Sequence, residues 1–421
     1  MVSKEPAKGM KDILPAEMRL RNVVLDTMRE VYRSFGFEQI ETPCMERIDN
    51  LSCNQGGDNE KLVFKILKRG EKLKSASGGG DASDLVDLGM RYDLTVPLSR
   101  FHAKNAQLLP SPFKAMQIGP VWRADKPQDG RFRQFYQTDI DVIGDPSVNA
   151  EIELLCATSS FLRKVGLGSS MIRINDRRLL VALARACGFE EQSFAEVFVS
   201  MDKLDKIGLD GVCEELVHCG HGEKSVAAYR EALSSFSKAD DKLACCRALL
   251  AEAGAEDVLS DLEDVIAGVE LFSEGETVPR LDLSLVRGMG YYTGTIFEVE
   301  SAEFEGMSIA GGGRYDKMVG RFSGRDVAAC GFSVGFERIV KILLEKACAE
   351  PSEDAIAVLY DKSLSPLEVS RLQAEWQKAR DEGKTVSVQK KARNFNHQQE
   401  QLAERGFGRI VVVNKGDLEE G

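Results

Sequence analysis

The chain has 421 residues, 43% of them hydrophobic, enough for two or three cores. Its 55 Lys and Arg against 67 Asp and Glu give a net charge of -12, which repels polyanions at long range, so nucleic-acid contact has to use local basic patches. No apolar run is long enough to span a bilayer, and the opening MVSKEPAKGMKDILP is neither apolar nor Arg-rich, so neither a membrane span nor a transit peptide is expected and the cytoplasm is the expected location.

Leu20, Val24, Met28, Val31 and Phe35 recur at helical spacing after Pro15, and Gly36 supplies a stop. Residues 37–42 then read as a short strand running into Pro43, which cannot donate to a ladder and marks a sheet edge. KSASGGGDAS, at 74–83, has the composition of a hairpin tip or inserted loop without chemistry. Strand signals dominate 91–143, and 149–165 and 178–187 turn helical. Residues 190–273 read almost wholly as helix, with breaks near Gly220 and Gly254, as in an inserted helical module. Strand patterning resumes at 279–299, and 331–346 reads as strand then helix. After a linker at 349–354, AIAVLY, a helix over 366–382, TVSV, a helix near 398–405 and IVVV alternate, which predicts a parallel α/β unit. Only NKGDLEEG follows the last strand, so this unit is expected to be truncated.

The 10 cysteines show no framework spacing and fit reduced thiols. Cys213, His218, Cys219 and His221 fall close together but match no zinc spacing, and a helix end with buried thiols is the preferred reading. In RQFYQTDID, side chains two apart share a face, so Arg133, Phe135, Gln137, Asp139 and Asp141 line one side of a strand. The preceding strand ends at Trp122 and Arg123, and ADKPQDG between them makes a hairpin with a basic tip. RYDLTVP, read as another strand, places Arg91, Asp93 and Thr95 on one face. A solvated face is the bland alternative for any one of these strands. The combination of Phe135, Gln137 and Asp141 argues for a polar floor instead, and cations at one end with carboxylates at the other suit a zwitterionic or phosphate-bearing ligand.

AGGGRYD at 310–316 reads, by itself, as a tight turn. In GFSVGFER at 331–338, Gly331, Ser333 and Gly335 let a flat ring lie against a strand, and Arg338 opens a helix. No GxxxxGK[ST] loop and no Ser, His and Asp set are present. None of His102, His218, His221 and His397 sits where histidine catalysis would need it. The remaining equipment of arginines, carboxylates and glycines stabilises charge at phosphorus.

These segments, in this order, resemble the class II aminoacyl-tRNA synthetases. LVRGMGYYTGTIFE at 285–298 and AGGGRYD look like the two signature stretches of the histidine-specific family, while RYDLTVP and MDKLDK look like its eukaryotic branch. The resemblance runs from Gly9 over nearly the whole chain, the family's three motifs falling on the first helix and strand through Pro43, on 119–141 and on 331–338. It implies an α+β fold: a class II antiparallel sheet flanked by helices, a helical insertion and a C-terminal α/β anticodon-binding domain. The implied domains are catalytic (1–180), insertion (181–275), catalytic again (276–349) and anticodon-binding (354–421).

The resemblance further implies L-histidine, ATP with Mg2+ and tRNA(His) as ligands, no metal held by the protein alone, a homodimer and no membrane contact. Asp93 and Thr95 would hold the histidine α-amino group, Gln137 would sit between amino and carboxylate, and Asp141, Tyr291 and Tyr292 would line the imidazole site. Arg123 and Arg287 would bind the carboxylate and α-phosphate as the catalytic pair, with each lost contact costing about 3 kcal/mol in the transition state. Arg131 and Arg338 would take the distal phosphates, Arg133 would belong to the ATP site, and Phe135 would stack on adenine. The sequence departs from the family at Met289 and Gly290, where Leu-Asp is usual. KKAR at 390–393 is a candidate RNA contact. Two competing readings are a histidine-sensing regulatory subunit of ATP phosphoribosyltransferase, whose members usually lack the second signature and the C-terminal domain, and a tRNA-binding module, which would not need the polar floor.

Overall fold

The computed structural model describes residues 3–52, 59–76, 82–127, 130–168, 170–286, 292–301, 308–346 and 352–418. Arg287, Met289, Gly290 and Tyr291, together with residues 77–81 of KSASGGGDAS, lie outside the described residues. Two compact units result, one of residues Met1–Ile13 and Arg19–Lys341, the other of Leu14–Met18 and Ile342–Gly421.

The first helix, Pro15–Ser34, buries Val24, Leu25, Met28, Val31 and Tyr32 along one stripe. The chain reverses at Gly36, whose φ of +83° favours a residue without a Cβ. Strand β1 (Glu38–Ile40) follows, then β2 (Met45–Arg47), β3 (Lys65–Leu67) and β4 (Val86–Met90). The hairpin is β5 (Phe113–Trp122) and β6 (Gln134–Ile143), followed by β7 (Ser170–Asp176), β8 (Thr277–Leu281), β9 (Thr295–Ser301), β10 (Ser308–Arg314) and β11 (Ala329–Val334). Eight of these form one sheet in the order β1-β5-β6-β11-β10-β9-β7-β8, and β2-β4-β3 form a small separate sheet. The six central strands are antiparallel, and the outermost strand at each end is parallel to its neighbour. β1 is an edge, as Pro43 required.

RYDLTVP is not a strand. β4 ends at Met90 and a helix runs Thr95–Asn105, its start fixed by the Val96 N–H donating to Asp93 Oδ1 at 3.0 Å. Pro97 is tolerated there because a first helical turn needs no backbone donor at that position. AGGGR is not a turn either; it is the interior of β10, with β9 on one side and β11 on the other. A Cβ on Gly312 would meet the Gly331 carbonyl oxygen at 2.1 Å, so only glycine lets these strands pair so closely.

The helix Asn149–Lys164 packs on β6 and β11. Residues 194–273 form the helices Phe194–Met201, Leu204–His218, Glu223–Lys238, Lys242–Leu249 and Glu256–Ser273, with Gly220 and Gly254 at breaks. Cys213 is buried in one of them, Cys219 is exposed, and His221 packs edge-on against Phe189.

In the second unit β12 (Ser352–Tyr360), β13 (Thr385–Lys390) and β14 (Phe407–Val413) pair in parallel, in the order β13-β12-β14. Apolar side chains cover both faces, which is why AIAVLY and IVVV read as continuous runs: Ile356 and Val358 pack with Leu372, and Ala357 and Leu359 with Leu402. The helix expected over 366–382 is two, Pro366–Glu375 and Gln377–Asp381, and the first opens on a capping box between Ser365 and Glu368.

Candidate active site

The pleat sets the floor. Across the sheet, Gln117, Asp139, Ser333, Gly311, Glu298 and Arg173 oppose one another in one row, and Ala115, Asp141, Gly331, Gly313 and Ile296 in the next on the same face. A cavity of about 620 Å3 lies on this face, lined by Asp93, Thr95, Gln137, Asp139, Asp141, Tyr292, Glu298 and Tyr315 among others, and also by Arg123, Arg131, Phe135 and Arg338. The floor is buried rather than solvated, since Gln137, Asp139 and Asp141 are 8%, 3% and 2% exposed.

Glycines make room for the functional side chains. A Cβ on Gly331 would stand 2.0 Å from Asp141 Oδ1, and one on Gly313 would stand 2.9 Å from the Tyr292 ring. Into that space Tyr315 donates its hydroxyl to Asp141 Oδ1 at 2.5 Å, while Asp141 Oδ2 is buried with no hydrogen-bond partner. Tyr315 is held from behind: Arg314 grips Glu151 through two hydrogen bonds of 2.7 and 2.6 Å and donates to the Ser147 carbonyl.

Arg123 is equally constrained. Its Nε donates to the Tyr92 carbonyl at 3.1 Å and Nη2 to Gln137 Oε1 at 3.2 Å, and its guanidinium lies between the rings of Tyr92 and Phe135. The Gln137 amide nitrogen in turn donates to Asp139, at 3.1 and 3.3 Å, and to Ser333 Oγ at 3.2 Å. Arg338 donates to the Ser308 carbonyl.

Three carboxylates therefore share a dry corner. Burial raises the pKa of Asp93, pushes Asp139 up to about 7, and holds Asp141 well above the carboxylate range, the last with help from the neighbouring Asp139 charge. Arg123 opposes the rise at Asp93 and Asp139. The cavity thus has an acidic end that gains from an incoming cation and an arginine end suited to phosphate.

Asp93, Thr95, Arg123, Arg131, Phe135, Gln137, Asp141, Tyr292 and Arg338 are brought together as the sequence led one to expect. Arg133 is not. It precedes β6, donates to the Asp125 and Lys8 carbonyls and is absent from the cavity lining, so its guanidinium ties the hairpin tip to the N-terminal segment. Arg91 also lies elsewhere, bonded to the Pro120 and Thr42 carbonyls. Sequence reasoning missed Tyr315, Glu298 and the part played by Asp139. Tyr315 was signalled only by following AGGGR directly, Glu298 by closing the 285–298 stretch, and Asp139 by its place on the flagged face.

An antiparallel floor with an acidic corner, arginines at its open end and no phosphate loop defines a class II aminoacyl-tRNA synthetase core. Residues 9–339 match the Histidyl-tRNA synthetase family model, and the chain belongs to that family. It is 42% identical to the histidine--tRNA ligase of Leifsonia xyli subsp. xyli over 97% of this chain and 95% of that protein. It is 39% identical to the probable histidine--tRNA ligase of Tropheryma whipplei over the same shares. Among solved structures, the histidyl-tRNA synthetase from Nostoc sp. PCC 7120 superposes with a TM-score of 0.82 at 27% identity, covering 100% of this chain and 94% of that one.

Proposed function

We propose that this cavity binds L-histidine and ATP, joins them as histidyl-adenylate, and passes the histidine to tRNA(His). One observation carries the placement of the amino acid: a buried, partnerless carboxylate oxygen of Asp141, in the acidic corner of a cavity that Arg123 also lines. A cationic or N–H-bearing side chain satisfies that oxygen, and histidine brings both an α-ammonium and an imidazole. In this reading Asp93, Thr95 and Gln137 take the ammonium, and Asp141, Tyr292 and Tyr315 take the ring, with Tyr291 added by the family resemblance. Selectivity comes from polar partners that would stay unsatisfied beneath an analogue lacking ring nitrogens.

Arg123, and Arg287 by resemblance, hold the histidine carboxylate against the α-phosphate. A carboxylate oxygen attacks the α-phosphorus, the bond to the bridging oxygen breaks, and pyrophosphate leaves with that electron pair. Arg123 is already fixed by Tyr92 and Gln137, so it stabilises the developing charge without reorganising. Arg131 and Arg338 face the distal phosphates and Phe135 the adenine. Mg2+ is proposed to accompany the nucleotide, where it would supply charge neutralisation to the phosphates, and Glu298 is a carboxylate of the cavity lining that could hold it, whereas Glu337 is already paired with Arg21. The terminal ribose hydroxyl of the tRNA then attacks the adenylate carbonyl carbon, losing its proton as AMP departs.

The second unit, with Lys390 and Arg393 exposed at the end of β13, is proposed to bind the anticodon arm, and residues 181–275 to form the insertion domain. No helix among the described residues is long and apolar enough to cross a membrane; the cytoplasm is the proposed site of the reaction, and a homodimer the proposed assembly. Charging of a tRNA(His) transcript with labelled histidine tests the whole sequence. Histidyl-tRNA is expected to accumulate in proportion to enzyme, and its absence at saturating ATP and histidine would overturn the reading.

A further inference from the structure

Gln137 is the hinge between the two ends of the cavity, and its carboxamide could face either way. Reversed, it would turn its NH2 toward the Arg123 guanidinium, a donor against a donor, and its carbonyl toward a carboxylate. The observed direction is set by what surrounds the amide nitrogen: both oxygens of Asp139, at 3.1 and 3.3 Å, and Ser333 Oγ at 3.2 Å. Asp139 and Ser333 oppose each other directly across β6 and β11, so the pair is fixed by strand register. Asp139 is 3% exposed and lines the cavity beside Asp93 and Asp141.

We propose that Asp139 is a positioning residue for histidine binding: it locks the Gln137 carboxamide with its oxygen on Arg123, and it supplies a further carboxylate to the corner that receives the ligand ammonium. The inference rests on the histidine-site reading. Through it, the amino-acid end and the phosphate end of the cavity are joined by one hydrogen-bonded line running Tyr92, Arg123, Gln137, Asp139.

The charged and titratable groups around Asp139 are Asp141 on its own strand, Asp93 before the helix Thr95–Asn105, Arg123 at the hairpin end, Arg91, Tyr32 of the first helix and Tyr292. In the free pocket Asp139 titrates at about 7, and an arriving ammonium favours its ionised form. Histidine should therefore bind more tightly as pH rises from about 6 to about 8.

The test is histidine-dependent exchange of pyrophosphate into ATP, measured for the natural chain and for Asp139→Asn, which keeps the size of the side chain but removes its charge and replaces one of the two oxygens that accept from Gln137 by a donor. The histidine KM of the variant should rise roughly 10- to 100-fold while its ATP KM stays within about two-fold, which also shows that it folds. Ser333→Ala should move the histidine KM in the same direction by less. The imidazole of the ligand titrates identically in both proteins, so the difference between their pH profiles isolates Asp139, and the variant should lose the fall in histidine KM with rising pH. A histidine KM and pH profile unchanged in Asp139→Asn would overturn the proposal. A natural chain without exchange would overturn the site reading itself, and this inference with it.

Discussion

At Asp141 a single carboxylate shows what burial does in this protein. One oxygen is fixed by the Tyr315 hydroxyl and the other awaits a partner, in a corner where burial and Asp139 keep its pKa high. Asp141→Asn replaces an acceptor by an amide of the same size, and a 10- to 100-fold rise in histidine KM is expected, roughly the cost of one unsatisfied buried group. Steady-state exchange kinetics check it; an unchanged KM would move the imidazole elsewhere. Arg123→Ala removes a partner of the histidine carboxylate and a donor to the charge that develops as the phosphorus is attacked, so kcat should fall by about 100-fold or more and the histidine KM should rise, with the Tm little changed. Phe135, Gln137 and Asp141 were legible because strand alternation is local and needs no knowledge of partners, whereas Arg123, just beyond the end of β5, was singled out by the family resemblance. Tyr315 was not legible, since its meeting with Asp141 depends on β10, β11 and β6 lying side by side.

The strands β10 and β11 show how an element can be read wrongly from its composition. Three successive glycines look like a turn, yet they form a strand because its neighbours crowd the positions a Cβ would occupy. Gly312→Ala drives a methyl into the Gly331 carbonyl and should lower stability by about 1–3 kcal/mol or more, visible as a lower Tm. Gly331→Ala meets Asp141 Oδ1 instead, and should weaken histidine binding ahead of stability. If both variants bind histidine and melt like the natural chain, the close strand approach is wrong. RYDLTVP misled for a related reason: Arg91, Asp93 and Thr95 alternate, but Asp93 caps a helix, a hydrogen-bonding choice that periodicity does not register. The parallel unit at the C-terminus was legible because both of its faces are apolar, which leaves no alternation to misjudge.

For the molecule as a whole, the acidic corner has a thermodynamic consequence. Asp93, Asp139 and Asp141 all titrate higher in the folded chain than in the unfolded one. Their contribution to stability is therefore present below the ordinary carboxylate range and lost as pH rises, for Asp139 through about 7. The Tm of the unliganded chain should fall as pH rises from about 4 to about 7, the span between the ordinary and the folded titration of Asp139, and saturating histidine should reduce that fall by supplying cationic partners. Scanning calorimetry with and without histidine would show it, and a histidine-independent slope would contradict it. Light scattering should give a mass twice that of the chain if the proposed dimer forms. Pyrophosphate exchange into ATP, measured with each amino acid in turn, tests histidine activation most directly. Exchange is predicted with histidine alone; none with histidine, or equal exchange with another amino acid, would contradict the assignment of this floor to histidine activation.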